Sequence, residues 1–577
     1  MKKFWFFCSI SASLVASEET ALAKRVHAHL LIEDVQTARQ EAESALKRFP
    51  DSQILTLALL QALCQSGNEI EAFEKWNESA CKHEQLLSDR TALETLAWAV
   101  IKKGTKSQQQ LIKLFSLVGA AITRDASAIV LLQSALTSSS VPLRSVAVML
   151  SAEYGDLPLR QELARLLKEE KVWTVRLEVI KAIGKLQMRE QKPLLKEIIA
   201  HRKTLVQEKA AAIVALVGMY EGIEKEEWQA LTHSNRAGLR ELSCQIAQHL
   251  DLKEELKDLE PLLSDPSPNV RLSAINTFVL LDVALPEDKW EKLCKDHAPE
   301  VAITAAYAAL VQGHPIGKQL LKEWLLDSDR NWQRLSSAAI GAAGERGADL
   351  AEEILTLPAF AHLRQDPYVT TNLALGLIGQ RRCSEKACAF LERALKQSQE
   401  QLWMWDSSIN PLFRTLSPSL VSHTPETPNY PSVVDQLTRL EILSVLCILQ
   451  YHQALSAMKE FLQSHSWGVT GSAAMTLVTE GDEESIALIR QLLKDPEEKV
   501  RIQAALLLAL MGSDPEALKT LQEAYPKVER EMKIRILEAL ANSGDMTTIP
   551  FLLSILNEPF QALRVIAASA IIQCLSK

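Results

Sequence analysis

Aromatic residues are scarce in this chain, 5% of 577. Its 47% hydrophobic content therefore falls mainly to alanine, leucine and isoleucine, a profile that suits closely packed helices. No run of eighteen apolar residues occurs, so no internal segment is read as a membrane span. The nine cysteines (Cys8, Cys64, Cys81, Cys244, Cys294, Cys383, Cys388, Cys447 and Cys574) are scattered without CxxC pairs. That spacing fits neither a disulfide framework nor a zinc cluster, and suits cysteines packed as small hydrophobes. Dense Lys/Arg runs are missing too, and the net charge is −9, which argues against a nucleic-acid binder with its basic face. The chain has no HExxH, no glycine-rich phosphate loop and no nucleophile elbow. Its twelve histidines are dispersed. His27 and His29, two apart, point to different sides of a helix. The expectation is no catalytic residue, no metal and no cofactor.

What the chain does have is a repeat. Read from Val500, the stretch Asp495 to Gly512 places Arg501 one residue on, small residues four, five and nine on (Ala504, Ala505, Ala509), and glycine twelve on. The same frame can be laid at Leu143, Val175, Val206, Leu239, Val270, Val301 and Trp332, and more weakly at Pro367, Thr438, Val469, Met532 and Leu563. Successive anchors in the first run are 32, 31, 33, 31, 31 and 31 residues apart. A fixed period of this size identifies an array of stacked units, each touching only its neighbours. Within a unit, a first helix leads through a short turn such as Ser264-Asp265-Pro266-Ser267-Pro268 into a second helix. Asp265, Asp296, Asp327 and Asp495 stand five residues before their anchors, where a carboxylate can accept from free N–H groups at a helix start. Glycines after the helices, including Gly155, Gly218, Gly313, Gly344, Gly379, Gly481, Gly512 and Gly544, are expected to end them in the left-handed conformation.

The first seventeen residues, MKKFWFFCSISASLVAS, carry two lysines, an apolar core and small residues before a cut after Ser17. This is the pattern of an export signal, and it predicts a periplasmic or envelope location for the mature chain and a cytoplasmic one if no cut is made. Residues 18–123 read as helical hairpins outside the 31-residue frame. Ala38, Ala45, Phe49 and Pro50, followed by Leu55, Leu59, Leu63, Gly67, Ala72 and Trp76, resemble tetratricopeptide units.

The frame Val-Arg-x-x-Ala-Ala-x-x-x-Ala-x-x-Gly, preceded by Asp-Pro, resembles HEAT repeats of the type named from phycobilisome (PBS) lyases, over about residues 124–577. The resemblance implies an all-α superhelix of about 13–14 hairpins. It also implies a structural ladder, in which the arginine one past the anchor pairs with the turn aspartate of an adjacent unit. Arg144, Arg176, Arg240, Arg271, Arg501 and Arg564 are the expected arginines, with Asp265 and Asp495 among the partners. The segments are then 124–383, a first array; 384–437, a degenerate repeat with a proline-rich loop; and 438–577, a second array. The interruption holds Trp403, Trp405, Phe413 and Tyr430, plus five prolines between Asp406 and Ser432, and reads as a loop. Long loops in compact folds are often functional, and these four aromatics are the expected anchors for a partner. The function expected is a non-enzymatic scaffold holding a protein or peptide on the concave face built by the second helices, without nucleic acid. The alternative is a bilin-lyase-like enzyme or cofactor chaperone. HEAT-fold hydroxylases use His-Glu pairs on several repeats, whereas the one adjacent pair here, His83-Glu84, lies outside the array. N-terminal sequencing of the native protein checks the export signal: a first residue of Glu18 is expected, and an intact Met1 refutes processing.

Overall fold

A computed structural model describes residues 18–80, 89–397, 403–406, 410–418, 439, 441–443, 445–464 and 483–577. The export signal, His83-Glu84, Tyr430 and Gly481 lie outside the described residues. The chain is all-α apart from one two-stranded sheet among the described residues. Packing divides it into two compact units, residues 1–162 with 504–577, and residues 163–503.

In the second unit the second helices of successive repeats stack directly on one another. The layer runs Trp173–Lys185, Val206–Val217, Ala237–Leu250, Pro268–Leu280, Pro299–Gln312, Arg330–Ala342 and Pro367–Gly379. Each is covered by its neighbours and by its own first helix, so the positions four, five, seven and eight past the anchor are apolar or small and buried. Ala305, Ala306, Ala308 and Ala309 show the pattern on the anchor Val301, and Ala504, Ala505, Leu507 and Leu508 show it on Val500. Two anchors of the sequence frame are corrected. Val206 is 76% exposed, and Glu208 takes its place, with Ala212, Ile213, Ala215 and Leu216 buried behind it. The anchor at Pro367 likewise moves to Val369, in front of buried Leu373, Ala374 and Leu377. The slip at Glu208 has a physical cause. Its carboxylate is 3% exposed but receives the Arg176 guanidinium at 3.0 Å, so a charged residue occupies an apolar position.

The turn chemistry is close to expectation. Asp265, Asp296, Asp327 and Asp495 each accept from the backbone N–H two residues on, at 2.8 to 3.0 Å. The ladder exists as two consecutive rungs: Arg240 pairs bidentately with Asp265 at 2.6 and 2.9 Å, and Arg271 with Asp296 at 2.7 and 2.6 Å. Lys533, in the arginine's place, makes the same rung to Glu558 at 3.1 Å, and Arg176 takes Glu208 instead of a turn aspartate. The shared contact of the arginine is a carbonyl of its own turn, six residues back: Arg144 to Ser138, Arg240 to Ser234, Arg271 to Asp265, Arg501 to Asp495 and Arg564 to Glu558, at 2.7 to 3.0 Å. Gln333 makes the same bond to Asp327, while Arg334 beside it pairs with Asp366 at 3.0 Å. Asp495 pairs with Lys459 at 2.9 Å. Of the expected helix-ending glycines, Gly155, Gly313 and Gly344 are left-handed. Gly218 and Gly544 have negative φ; Gly544 ends its helix in extended backbone.

The first unit joins the chain's two ends. The N-terminal hairpin Arg90–Thr105/Gln110–Ile122 packs on the first repeat, Ser127–Leu136/Val141–Tyr154, and also receives the last helix, Gln561–Ser576. That helix is buried on nearly every side, with Leu563, Val565, Ala567, Ala568, Ala570 and Ile571 all inside. The usual last repeat of an array keeps a polar outer face; this one is covered by residues four hundred positions earlier. Contact is close because Gly119 lacks a side chain, and a Cβ there would stand 2.2 Å from Ser569 Oγ.

The Arg271–Asp296 rung is the most enclosed ion pair of the layer, with both side chains under a tenth exposed. Burial raises the Asp296 carboxyl, but the Arg271 hydrogen bonds and the Ala298 N–H outweigh it and hold the group below its ordinary value. Arg271→Ala is expected to cost about 3–5 kcal/mol, because it strands a buried charge. Arg501→Ala, at a half-exposed site bonded to carbonyls of its own turn, is expected to cost about 1 kcal/mol. A depressed carboxyl stabilises above its unfolded value and loses that contribution as pH falls through the folded one. The gap between wild type and Arg271→Ala should therefore narrow below about pH 4. Thermal unfolding across pH measures both effects.

Candidate functional site

The interruption of the repeat is not a plain loop. Trp403–Asp406 and Thr415–Pro418 form an antiparallel pair, with Trp403 opposite Pro418 and Asp406 opposite Thr415. This hairpin lies on the second helices Pro299–Gln312, Arg330–Ala342 and Pro367–Gly379. Two asparagines hold it there. Asn372, on the last of these helices, accepts the Leu416 backbone N–H at 3.0 Å, and its amide donates to Ser337 Oγ at 3.0 Å. Asn410 donates to Thr304 Oγ1 at 2.7 Å and accepts from the Leu412 N–H at 2.8 Å. A strand laid on an apolar helix layer would otherwise bury backbone groups without partners, which costs about 1–3 kcal/mol each.

The aromatics expected to face a partner divide. Trp403 is fully buried, with its ring 5.8 Å from Tyr368 and under the Arg439 guanidinium at 4.9 Å. Phe413 is buried 5.0 Å from Tyr307. Both fasten the hairpin to its own array; the expectation of a free anchor is corrected for Trp403, whereas Phe413 also lines the cavity beside it. The reason is that a short, twisted strand pair is not stable alone and needs its aromatic side chains for docking. Trp405 differs: it lines an open cavity of about 640 Å³. The floor is built from small residues, Ala338, Gly341, Ala342 and Gly376. Gly341 and Gly376 bring the two helices together so closely that a Cβ on Gly376 would stand 2.5 Å from the Gly341 Cα. Leu375 and Phe413 make one wall; Ile442, Val445 and Ile448 of the next repeat make the other. Arg414 and Glu441 stand at the rim, 3.7 Å apart.

The ladder arginines and aspartates are committed to turns, and none of them lines this cavity. The residues that sequence reading missed are Asn372, Asn410, Thr304 and Arg414. Asn372 carried a signal, as a lone amide within the apolar run Leu373 to Ile378 and the buried positions before it. Among the described residues no group of three or more His, Cys, Asp or Glu side chains is placed to hold a metal ion, and no helix is long and apolar enough to cross a membrane.

A family model described as HEAT repeats matches residues 128–216 and 486–572, so the chain carries HEAT repeats in both parts of its array. A search of the curated proteins found no match. Solved structures similar to this chain include the karyopherin Kap121p, at 12% identity over 94% of this chain and 82% of that one, with a TM-score of 0.30. The myosin chaperone UNC-45 from C. elegans, in complex with an Hsp90 peptide, is 15% identical over 98% and 82%, with a TM-score of 0.25. The complex of CpcE and CpcF of phycocyanin lyase from a Nostoc species is 16% identical over 52% and 94%, with a TM-score of 0.22.

Removing the Asn372 amide tests the docking. Asn372→Leu should cost about 1–3 kcal/mol by orphaning the Leu416 N–H, and should open the hairpin to limited proteolysis between residues 403 and 418. Unchanged cleavage in the variant would refute the docked arrangement.

Proposed function

We propose that this HEAT-repeat chain is a non-enzymatic scaffold that holds a protein partner on the second-helix layer of residues 163–503. The observation that carries this reading is the cavity beside the docked hairpin. It is assembled from three sources: two array helices, the insertion, and the repeat that follows. Its volume falls within the range of about 300–1,000 Å³ typical of binding pockets, and its lining mixes apolar side chains with polar surface from an amide, an indole and one charged pair. The chemistry on offer is recognition: the single carboxylate, Glu441, faces the single guanidinium, Arg414, and the other lining residues are apolar side chains, small residues, an indole and an amide. Apolar surface flanked by an aromatic and an arginine is the composition of binding hot spots. The lysine-led, apolar segment of residues 4–15 supports an exported location for this binding, with a cytoplasmic one if no cut is made.

Affinity capture with wild type and a Leu375→Glu variant tests the scaffold. Leu375 is half-buried in the cavity wall. A protein partner should be recovered by wild type and lost about tenfold or more with the variant, at unchanged melting temperature. Recovery of only a pigment or a metal would overturn the reading.

A further inference from the structure

The cavity contains two groups whose bonding is incomplete. Trp405 Nε1 is buried and has no hydrogen-bond partner. An indole N–H can only donate, and a buried donor left unmet is costly, so an acceptor belongs beside it. Above the same ring, 4.9 Å from its centroid, lies the Arg414 guanidinium. Its side chain is 60% exposed. Its ion pair with Glu441 runs through Nη1 at 3.7 Å, longer than a hydrogen bond. The Nε–Nη2 edge is the one that matches a carboxylate in parallel, two-bond geometry. Below the pair, Gly341 and Gly376 leave the floor without side chains, and Leu375, Val445 and Ile448 supply apolar walls.

We propose that this cavity takes an extended peptide in which a bulky apolar residue is followed by an aspartate or glutamate. The inference rests on the scaffold reading and assigns its binding site. The apolar side chain fills the space over Gly341 and Gly376. The adjacent carboxylate pairs with the free edge of Arg414, and a peptide carbonyl accepts the Trp405 N–H, which has no accessible surface as it stands, once the ring turns toward the opening. A peptide fits the three features together because it carries apolar group, carboxylate and carbonyl within one residue step of each other. The insertion supplies both polar contacts and the array supplies the apolar floor, so neither makes the site alone.

The test uses the full chain and fluorescence anisotropy of a fluorescein-labelled peptide, Gly-Leu-Phe-Asp-Gly-Ser, with Asn and Lys analogues in place of the aspartate. The aspartate peptide should bind about tenfold more tightly than the Asn analogue, the margin of a charge-assisted bidentate contact. Arg414→Gln should abolish that preference while leaving the Asn analogue unchanged. Trp405→Phe, which keeps the ring and removes the N–H, should weaken both peptides several-fold by equal factors. Melting curves confirm that the variants fold. Equal binding of all three peptides, a preference that survives Arg414→Gln, or no binding of any of the three overturns the assignment. If no peptide binds while Leu375→Glu still loses a captured protein, this peptide chemistry falls and the scaffold stands. Failure of both experiments removes both.

Discussion

A turn between two antiparallel helices leaves carbonyl groups that have lost their helical partners, and in six turns of this chain a side chain attends to them. The arginine after the anchor folds back on the carbonyl six residues before it in five repeats. Where glutamine stands instead, as at Gln333, the same bond is made. Turn geometry determines the angle at which the second helix leaves, and therefore whether the next helix can lie close enough to bury its small residues. Arg271 does both jobs at once: one nitrogen holds Asp265 O while the opposite edge grips Asp296 of the following unit. The period of 31 residues is the sequence record of that double contact.

A layer of helices tied in this way can still accept a foreign element if polar groups are provided for it. Asn372 and Thr304 both stand three residues past their anchors, and they receive the inserted hairpin. Once docked, the hairpin turns Trp403 and Phe413 inward and leaves Trp405 and Arg414 beside the opening. The cavity is thus a by-product of close packing. Helices that approach at Gly341 and Gly376 have no side chains there to fill the space above them, and the insertion walls that space without covering it.

Much of the array was legible because burial repeats. Alanines at fixed offsets, aspartates before proline and arginine after the anchor each answer a local requirement that recurs in every unit, so each copy corrects the reading of the others. The frame failed where a residue broke the local rule and was compensated from a distance. Glu208 is buried because Arg176, one unit earlier, meets its charge. Val206 offered the apolar residue that the frame looks for, at a place that turns out to face water. The hairpin went unread for a similar reason: prolines and serines describe a chain that leaves helix, and they do not say what it then lies against.

The sequence by itself determined the class of the molecule: helical hairpins, their period, the turn that joins them, and the point where the cycle breaks. These depend on interactions between residues at most one repeat apart, which a linear pattern records. Only the tertiary structure decided that the last helix is sealed by Gly104 and Gly119 of the N-terminal hairpins, and that Asn410 finds Thr304 more than a hundred residues away. It also decided that one tryptophan of a neighbouring pair, Trp403, is consumed in packing while Trp405 lines an opening. Such contacts pair surfaces with no fixed spacing along the chain, so no periodicity announces them and only three-dimensional packing selects them.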